Sequence, residues 1–407
     1  MAKIMSVECI RTRKNGTWTI VKVTTDQDGL YGIGSASDIY NPEAVVMIVE
    51  QLLAPVIIGR DAANIEDLWQ TMYMSGYWRN GALLQTAIGG IDMALWDIKG
   101  KEAGLPVYQL LGGACRAAVP CYGHAGGRDI AELKEDVYRF KEEGYTVIRA
   151  QLGGYGGGGF VELGKANVPS PSWASGSVFD EHAYLQAIPA MFEQLREEFG
   201  FGVQFTHDVH EHVSPIGAIQ LSKRVEPYDL FYLEDAIAPE QLGWYRQLRT
   251  QSATPQAVGE LFANPQEWTP LIQERLIDFI RVRVSKAGGI SACRKIAALA
   301  EAFGIRTAWQ EGGENDPVNQ AAAVHLDMAI WNFGIQEINH FRPEELEAFE
   351  GHIVRRGGYL YPSDKPGLGI ELDELKALEL VGGDWKRSVY FNPYKLDRKA
   401  DGTLVRP

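Results

Sequence analysis

Three carboxylates spaced 26 residues apart, Asp208, Glu234 and Glu260, each close a short apolar run: Val203-Gln-Phe-Thr-His-Asp208, Asp229-Leu-Phe-Tyr-Leu-Glu234 and Gln256-Ala-Val-Gly-Glu260. One strand, one helix and two short loops take up about that length, so equal spacing predicts successive β/α units of a parallel barrel with all three acids at its C-terminal mouth. Crowded anionic oxygens repel one another unless a cation neutralises them. A set made only of carboxylates, with room for water, suits Mg²⁺ better than zinc. A single acid after a strand more often caps a helix or decorates a loop. Three in register favour ligands of one magnesium ion.

The elements that must position them follow from the rest of the chain. From Val119 onward, short β-branched or aromatic runs alternate with helical patterns, as β/α units do. Seven or eight strands are expected, ending near His124, Arg149, Asp208, Glu234, Glu260, Arg281, Gln310 and Glu337. Before them, residues 6–14 and 17–25 read as strands joined by Asn15-Gly16, and Asp28-Gly29 leads into a third run, Leu30–Ile33. Helices are predicted at Pro42–Leu53, Ile65–Tyr73 and Leu83–Ala103, the last stopped by Gly104. The fold class is therefore α/β, with an α+β domain at 1–118, a barrel at 119–358, and a segment at 359–407 expected to return to the first domain. One gap breaks the rhythm: 59 residues separate Arg149 from Asp208, enough for two units plus an insertion. The excess, Gly153–Gly159 with Pro169, Ser170 and Pro171, suits a loop over the mouth or an oligomer contact. Gly154–Gly159 formally matches G-x-G-x-x-G, but prolines follow instead of a crossover helix, so a dinucleotide site is not expected.

With 407 residues, 45% hydrophobic and 23% charged, the chain can bury a large core. A net charge of −14 argues against nucleic acid or an anionic membrane as partner. Cys9, Cys115, Cys121 and Cys293 form no C-x-x-C pair, and no 18-residue apolar run occurs. A reducing cytoplasm and neither export nor insertion are expected.

Ile91-Asp-Met-Ala-Leu-Trp-Asp-Ile-Lys-Gly-Lys101, Leu110-Leu-Gly-Gly113, the three spaced acids and Pro366-Gly-Leu-Gly369 resemble the enolase superfamily over nearly the whole chain. Asp208-Val-His210, Glu234-Asp235, Val258-Gly-Glu260, Ala287-Gly-Gly289 and Asn332-Phe-Gly-Ile-Gln-Glu337 further resemble its mannonate dehydratase subgroup, which includes gluconate dehydratases and starvation-sensing-type proteins. The resemblance implies a modified (β/α)₇β TIM barrel with an N-terminal α+β capping domain completed by the C-terminal tail. It also implies one Mg²⁺, a sugar-acid substrate and a homo-oligomer.

The chemistry expected of such a site is removal of a barely acidic α-proton, which needs a divalent cation on the substrate carboxylate. A base takes the proton and, for dehydration, an acid protonates the departing β-hydroxyl. His210 is the candidate acid, because two residues past Asp208 in extended backbone it shares that side; alone, such a histidine is more often structural. His207 should point the other way, and His212 enters the loop. The subgroup's base is a tyrosine beside a second-strand arginine, whose charge lowers the phenol pKa. Arg149 matches the arginine. The usual Thr-Tyr-Gly stretch is absent, and Tyr155 is the nearest replacement or else an anchor of the glycine loop. His124, Arg281 and Glu337 match positions that hold substrate, although such groups also pair on a barrel rim. Asn41 matches a capping-domain contact and could equally cap the helix starting at Pro42.

Strand seven departs from the pattern: Gln310, a further candidate to hold substrate, stands where a histidine is usual, and an amide can donate and accept hydrogen bonds but cannot titrate. Loss of a proton-transfer partner there would cost about 3–5 kcal/mol of barrier, which argues against mannonate as the substrate. The subgroup's tryptophan-rich C-terminus is also missing. The leading expectation is a Mg²⁺-dependent dehydratase giving a 2-keto-3-deoxy acid. Two alternatives stand beside it, an acid-sugar epimerase and a metal-binding barrel with little turnover kept as a sensor or for another ligand.

Overall fold

The computed structural model describes residues 2–13, 17–156, 161–162, 177–313, 315–381 and 398–405. The chain divides into two compact units. The first comprises Met1–Pro120, Glu260–Trp268 and Arg281–Asn392; the second comprises Cys121–Gly259, Thr269–Ile280 and Pro393–Pro407.

In the first unit, strands Ile4–Thr12, Trp18–Thr25 and Tyr31–Ser35 form an antiparallel sheet in chain order. The expected Asn15-Gly16 turn lies outside the described residues. The third strand lies against helix Ala82–Ala103, and glycine is what permits it: a Cβ on Gly34 would stand 2.0 Å from the carbonyl oxygen of Gly90. Gly104 ends that helix in the left-handed region at φ 67, where a missing Cβ removes the clash. The helix expected over Pro42–Leu53 is a composite. Its middle, Ile48–Leu53, widens to a π-turn ahead of Pro55, relieving the contact between that ring and the carbonyl four residues back. Later segments also belong here. Strand Tyr359–Tyr361 pairs with Val354–Arg356 and Val119–Pro120, Leu368 N–H donates to Asp97 (2.8 Å), and Tyr31 Oη donates to Glu371 (2.7 Å).

The second unit holds six strands of a parallel sheet, Gly123–Gly127, Val147–Leu152, Gln204–Asp208, Tyr232–Glu234, Gln256–Val258 and Phe279–Ile280, each paired with the next. Loops between strand and helix end on capping side chains that satisfy the first free N–H groups. Asp129 caps Ile130–Glu142, Asp180 caps Glu181–Phe199 and Ser214 caps Pro215–Val225. No helix among the described residues is long and apolar enough to cross a membrane.

The structure settles one open alternative and shifts one expectation. Strand Val147–Leu152 pairs directly with Gln204–Asp208, Arg149 opposite Thr206, so the 59-residue gap holds one β/α unit and an insertion rather than two units. The Gly/Pro/Ser-rich stretch has no helical period to supply a second crossover. Of it, strands Val161–Glu162 and Ser177–Val178 pair antiparallel, while 157–160 and Pro169–Pro171 lie outside the described residues. Second, His124 and Arg149 sit inside their strands, and Glu260, Arg281 and Gln310 lie beyond the ends of theirs. Where a functional side chain is needed and where a backbone ladder stops are separate requirements. Apolar-to-polar boundaries in the sequence report only the first.

Candidate active site

In the second unit, backbone pairing sets the geometry. Glu234 is opposite Asp208, Tyr232 is opposite Thr206, Thr206 is opposite Arg149, and Arg149 is opposite His124. Because side chains two apart share a face of the pleat, His124, Arg149, Asp208 and Glu234 all project from one side, the two acids one step further along. Both carboxylates are buried, and the Arg149 guanidinium stands 3.4 Å from the Asp208 carboxylate. Gln151 pins the Asp208 backbone, donating to its carbonyl at 3.0 Å and accepting its N–H at 3.3 Å.

His210 follows Asp208 in a turn rather than in extended backbone. Its φ is 53 and that of Glu211 is 62, a region that costs a residue with a Cβ about 1–3 kcal/mol. The turn is held by His210 N–H donating to Asp208 Oδ1 (2.8 Å) and Glu211 N–H donating to the Asp235 carbonyl (2.9 Å). Tyr155, in a short 3₁₀ turn after the second strand, lays its ring 4.2 Å from the His210 ring, and the Arg149 guanidinium lies 6.0 Å from the same phenol ring. His207 points away as expected. It is clamped between the Ala150 carbonyl and Tyr184 Oη, both at 2.8 Å, and burial pulls its pKa down to about 4. His212 is likewise pulled down to about 4, first by burial and then by neighbouring His210.

Sequence spacing does not single out Asp235. In an extended strand it would face away from Glu234, but it takes φ 36, and an oxygen of each carboxylate lies within 4.8 Å of the other. Asp235 Oδ1 also accepts the N–H of Gly259 (3.0 Å), the residue immediately before Glu260. The signal was the Glu-Asp dipeptide at a strand end.

In the first unit, side chains hold one another. Arg281 donates to Glu337 at 2.7 Å with both groups at 2% exposure or less, and the Glu311 N–H joins the same oxygen at 2.8 Å. Gln310 bridges Arg283 Nε (2.7 Å) and Glu260 Oε1 (3.0 Å). Glu311 accepts from Asn319 Nδ2, and burial pushes its carboxyl well above the usual range despite the opposing Arg283 charge. Asn41 precedes helix Pro42–Met47 without capping it through its side chain. Asp38 fixes its position, accepting the N–H of Asn41 (2.8 Å) and of Tyr40 (3.0 Å) while Lys286 donates to its other oxygen (2.6 Å).

Of the predicted residues, the second unit therefore brings together Arg149, Tyr155, Asp208, His210 and Glu234 with His124 in the adjoining row. The first pairs Arg281 with Glu337 and Gln310 with Glu260 and sets Asn41 on a separate anchor.

Two family models match. Residues 4–112 match the N-terminal domain of mandelate racemase / muconate lactonizing enzyme, and residues 132–376 match the enolase C-terminal domain-like model. A D-galactonate dehydratase family member from Paenibacillus sp. (strain JDR-2) is 84% identical over all 407 residues, covering 100% of both chains. The chain belongs to the D-galactonate dehydratase family of the enolase superfamily. A D-mannonate dehydratase from Caulobacter vibrioides is 40% identical, covering 99% of each chain. A solved enolase from Pantoea ananatis, described with bound D-gluconate and Mg, matches with a TM-score of 0.92 at 44% identity, covering 100% of both chains. The family fold, an N-terminal capping domain with a C-terminal α/β barrel, is that of this chain.

Proposed function

We propose that the chain is a Mg²⁺-dependent acid-sugar dehydratase that converts a 2,3-dihydroxy acid to its 2-keto-3-deoxy product. The observation that carries this reading is the register pairing of Asp208 with Glu234, two buried carboxylates with Arg149 and His210 both held against Asp208. An oxygen-only donor set of this kind fits Mg²⁺. Asp208, Glu234 and Glu260 are the ligands, as the family membership and the Mg-bound relative support. Bound there, Mg²⁺ supplies stabilisation of the negative charge that develops on the substrate carboxylate as the α-proton leaves.

The chain's own groups do the rest. Tyr155, beside Arg149, takes the α-proton as the C–H bond breaks. His210 gives its proton to the β-hydroxyl, so that the C–O bond breaks and water leaves; tautomerisation of the enol then gives the keto acid. His124, Arg281 and Glu337 orient the substrate, with Asn41 reaching it from the capping domain. We assign residues 1–118 to that domain, 119–358 to the barrel, and 359–407 to a return segment. The protein is further proposed to be a cytoplasmic homo-oligomer.

The test is incubation with hexonates, pentonates and uronate-derived acids, with Mg²⁺ or a chelator, followed by trapping of 2-keto acids as semicarbazones. Product with Mg²⁺ and none with chelator is expected. No product from any acid, with metal demonstrably bound, overturns turnover and leaves the sensor reading.

A further inference from the structure

Gln310 occupies the strand-seven position where the sequence motif leads one to expect a proton carrier. Its surroundings specify a different task. The side chain is buried, its backbone N–H donates to the Val282 carbonyl (3.2 Å), and its own carbonyl accepts from Asn315 Nδ2 (3.3 Å). The amide has two chemically distinct ends, and the neighbours fix which end goes where. Arg283 carries donors only, so the group facing Arg283 Nε at 2.7 Å must be the amide oxygen. The NH₂ end is then turned to Glu260 Oε1 at 3.0 Å. A carboxylate accepts only, so the arrangement is satisfied at both contacts and would not be with the amide flipped. Arg283 is itself buried, so its orientation of the amide is not averaged by solvent.

We propose that Gln310 is a positioning residue for the metal: held by Arg283, it ties one oxygen of the Glu260 carboxylate and so presents the other to the cation. This rests on Glu260 being a ligand, as argued above. Groups that orient a ligating side chain commonly set metal affinity by about 10–100-fold. The inference also changes what strand seven contributes. With its oxygen and one N–H committed and no titratable proton, Gln310 supplies geometry and no proton transfer. Epimerisation requires a second, opposed proton carrier, and this position does not provide one.

The experiment is direct titration of the metal-free full-length protein with Mn²⁺, followed by the EPR signal of free Mn²⁺, for wild type, Gln310→Met, Gln310→Asn and Gln310→His. Methionine keeps the volume and loses the amide, and asparagine keeps the amide but is one methylene short of spanning Arg283 and Glu260. Histidine can accept from Arg283 at one ring nitrogen and donate to Glu260 from the other. Wild type should bind one Mn²⁺, Gln310→Met and Gln310→Asn about 10-fold or more weakly, and Gln310→His within a few-fold of wild type. If methionine prevents folding, judged by circular dichroism, asparagine decides. Equal affinity in wild type and either folded variant overturns the positioning role alone. Failure of wild type itself to bind overturns the ligand assignment of Glu260 and the inference with it.

Discussion

The carboxylates of Asp208 and Glu234 are placed by backbone pairing between parallel strands, with one residue opposite the other and their side chains on one face of the pleat. In the first unit, by contrast, Arg281, Glu337 and the Glu311 N–H hold one another, as do Arg283, Gln310 and Glu260. Strand-placed groups keep their positions when a neighbouring side chain is changed, because the ladder does not depend on it. Interlocked groups lose orientation together, since each removal strands a buried partner.

That contrast predicts how substitutions separate function from stability. The largest effect is expected for Glu234→Gln, which keeps the strand ladder while removing the charge of a proposed ligand. Turnover should fall about 1,000-fold or more, from several kcal/mol of lost charge stabilisation, with little change in melting temperature. A variant that melts early without losing turnover would erase the distinction. His210→Asn follows, with kcat lower by about 100- to 10,000-fold and folding retained, as steady-state keto-acid formation would report.

Arg281→Met should add a loss of stability to its loss of turnover. It takes one buried ion pair from Glu337, itself at 2% exposure, so urea unfolding should show a loss of up to about 3–5 kcal/mol. Arg149→Met, whose ion pair with Asp208 is longer and partly open to solvent, should destabilise less. Equal losses would mean that the two regions are not held differently.

The smallest effects concern pH and sharpen the picture of the first unit. Asp92 accepts the Ser291 N–H (2.9 Å), and full burial pushes its pKa up to about 7. The folded protein then holds a proton that the unfolded chain releases near pH 4. This contribution is complete below about pH 4 and is lost as pH rises to about 7. Asp92→Asn should flatten the fall in melting temperature between those values. His325 has the opposite sign. Its Nδ1 accepts the Tyr108 N–H (3.2 Å), so Nε2 must donate to the Leu368 carbonyl (3.0 Å), and burial pulls the pKa down to about 4. Its stability contribution is present above about pH 6.5 and is lost as pH falls toward 4, so His325→Gln should weaken that acid limb of the melting curve.

The same division explains what could be read from sequence. Residues at or near strand ends announce themselves by spacing, whether pairing or side chains hold them in the end: the 26-residue steps of Asp208, Glu234 and Glu260 need only the length of a β/α unit to be interpreted. The family motifs carried the capping domain and the barrel, and hydrophobic periodicity with Gly104 carried the long helix Ala82–Ala103. The interlocked side chains gave no such sign. Nothing in the local sequence pairs Gln310 with Arg283 and Glu260, 27 and 50 residues away, because long-range hydrogen bonds leave no period. The left-handed turn at His210 was hidden for a related reason, since reading it as extended strand fixes its side chain on the wrong geometry. The length of the gap before Asp208 left one unit or two open, and its Gly/Pro/Ser composition was the better guide.

The most direct test of the account is proton NMR of the protein in D₂O with Mg²⁺ and the acid-sugar library, following the C2 proton and the C3 resonances of each acid. The account predicts loss of the C2 signal together with growth of a new C3 methylene carrying solvent deuterium, for at least one acid and only with metal. Exchange at C2 with no methylene would contradict dehydration and point to epimerisation. Untouched substrates beside a bound metal would contradict turnover altogether.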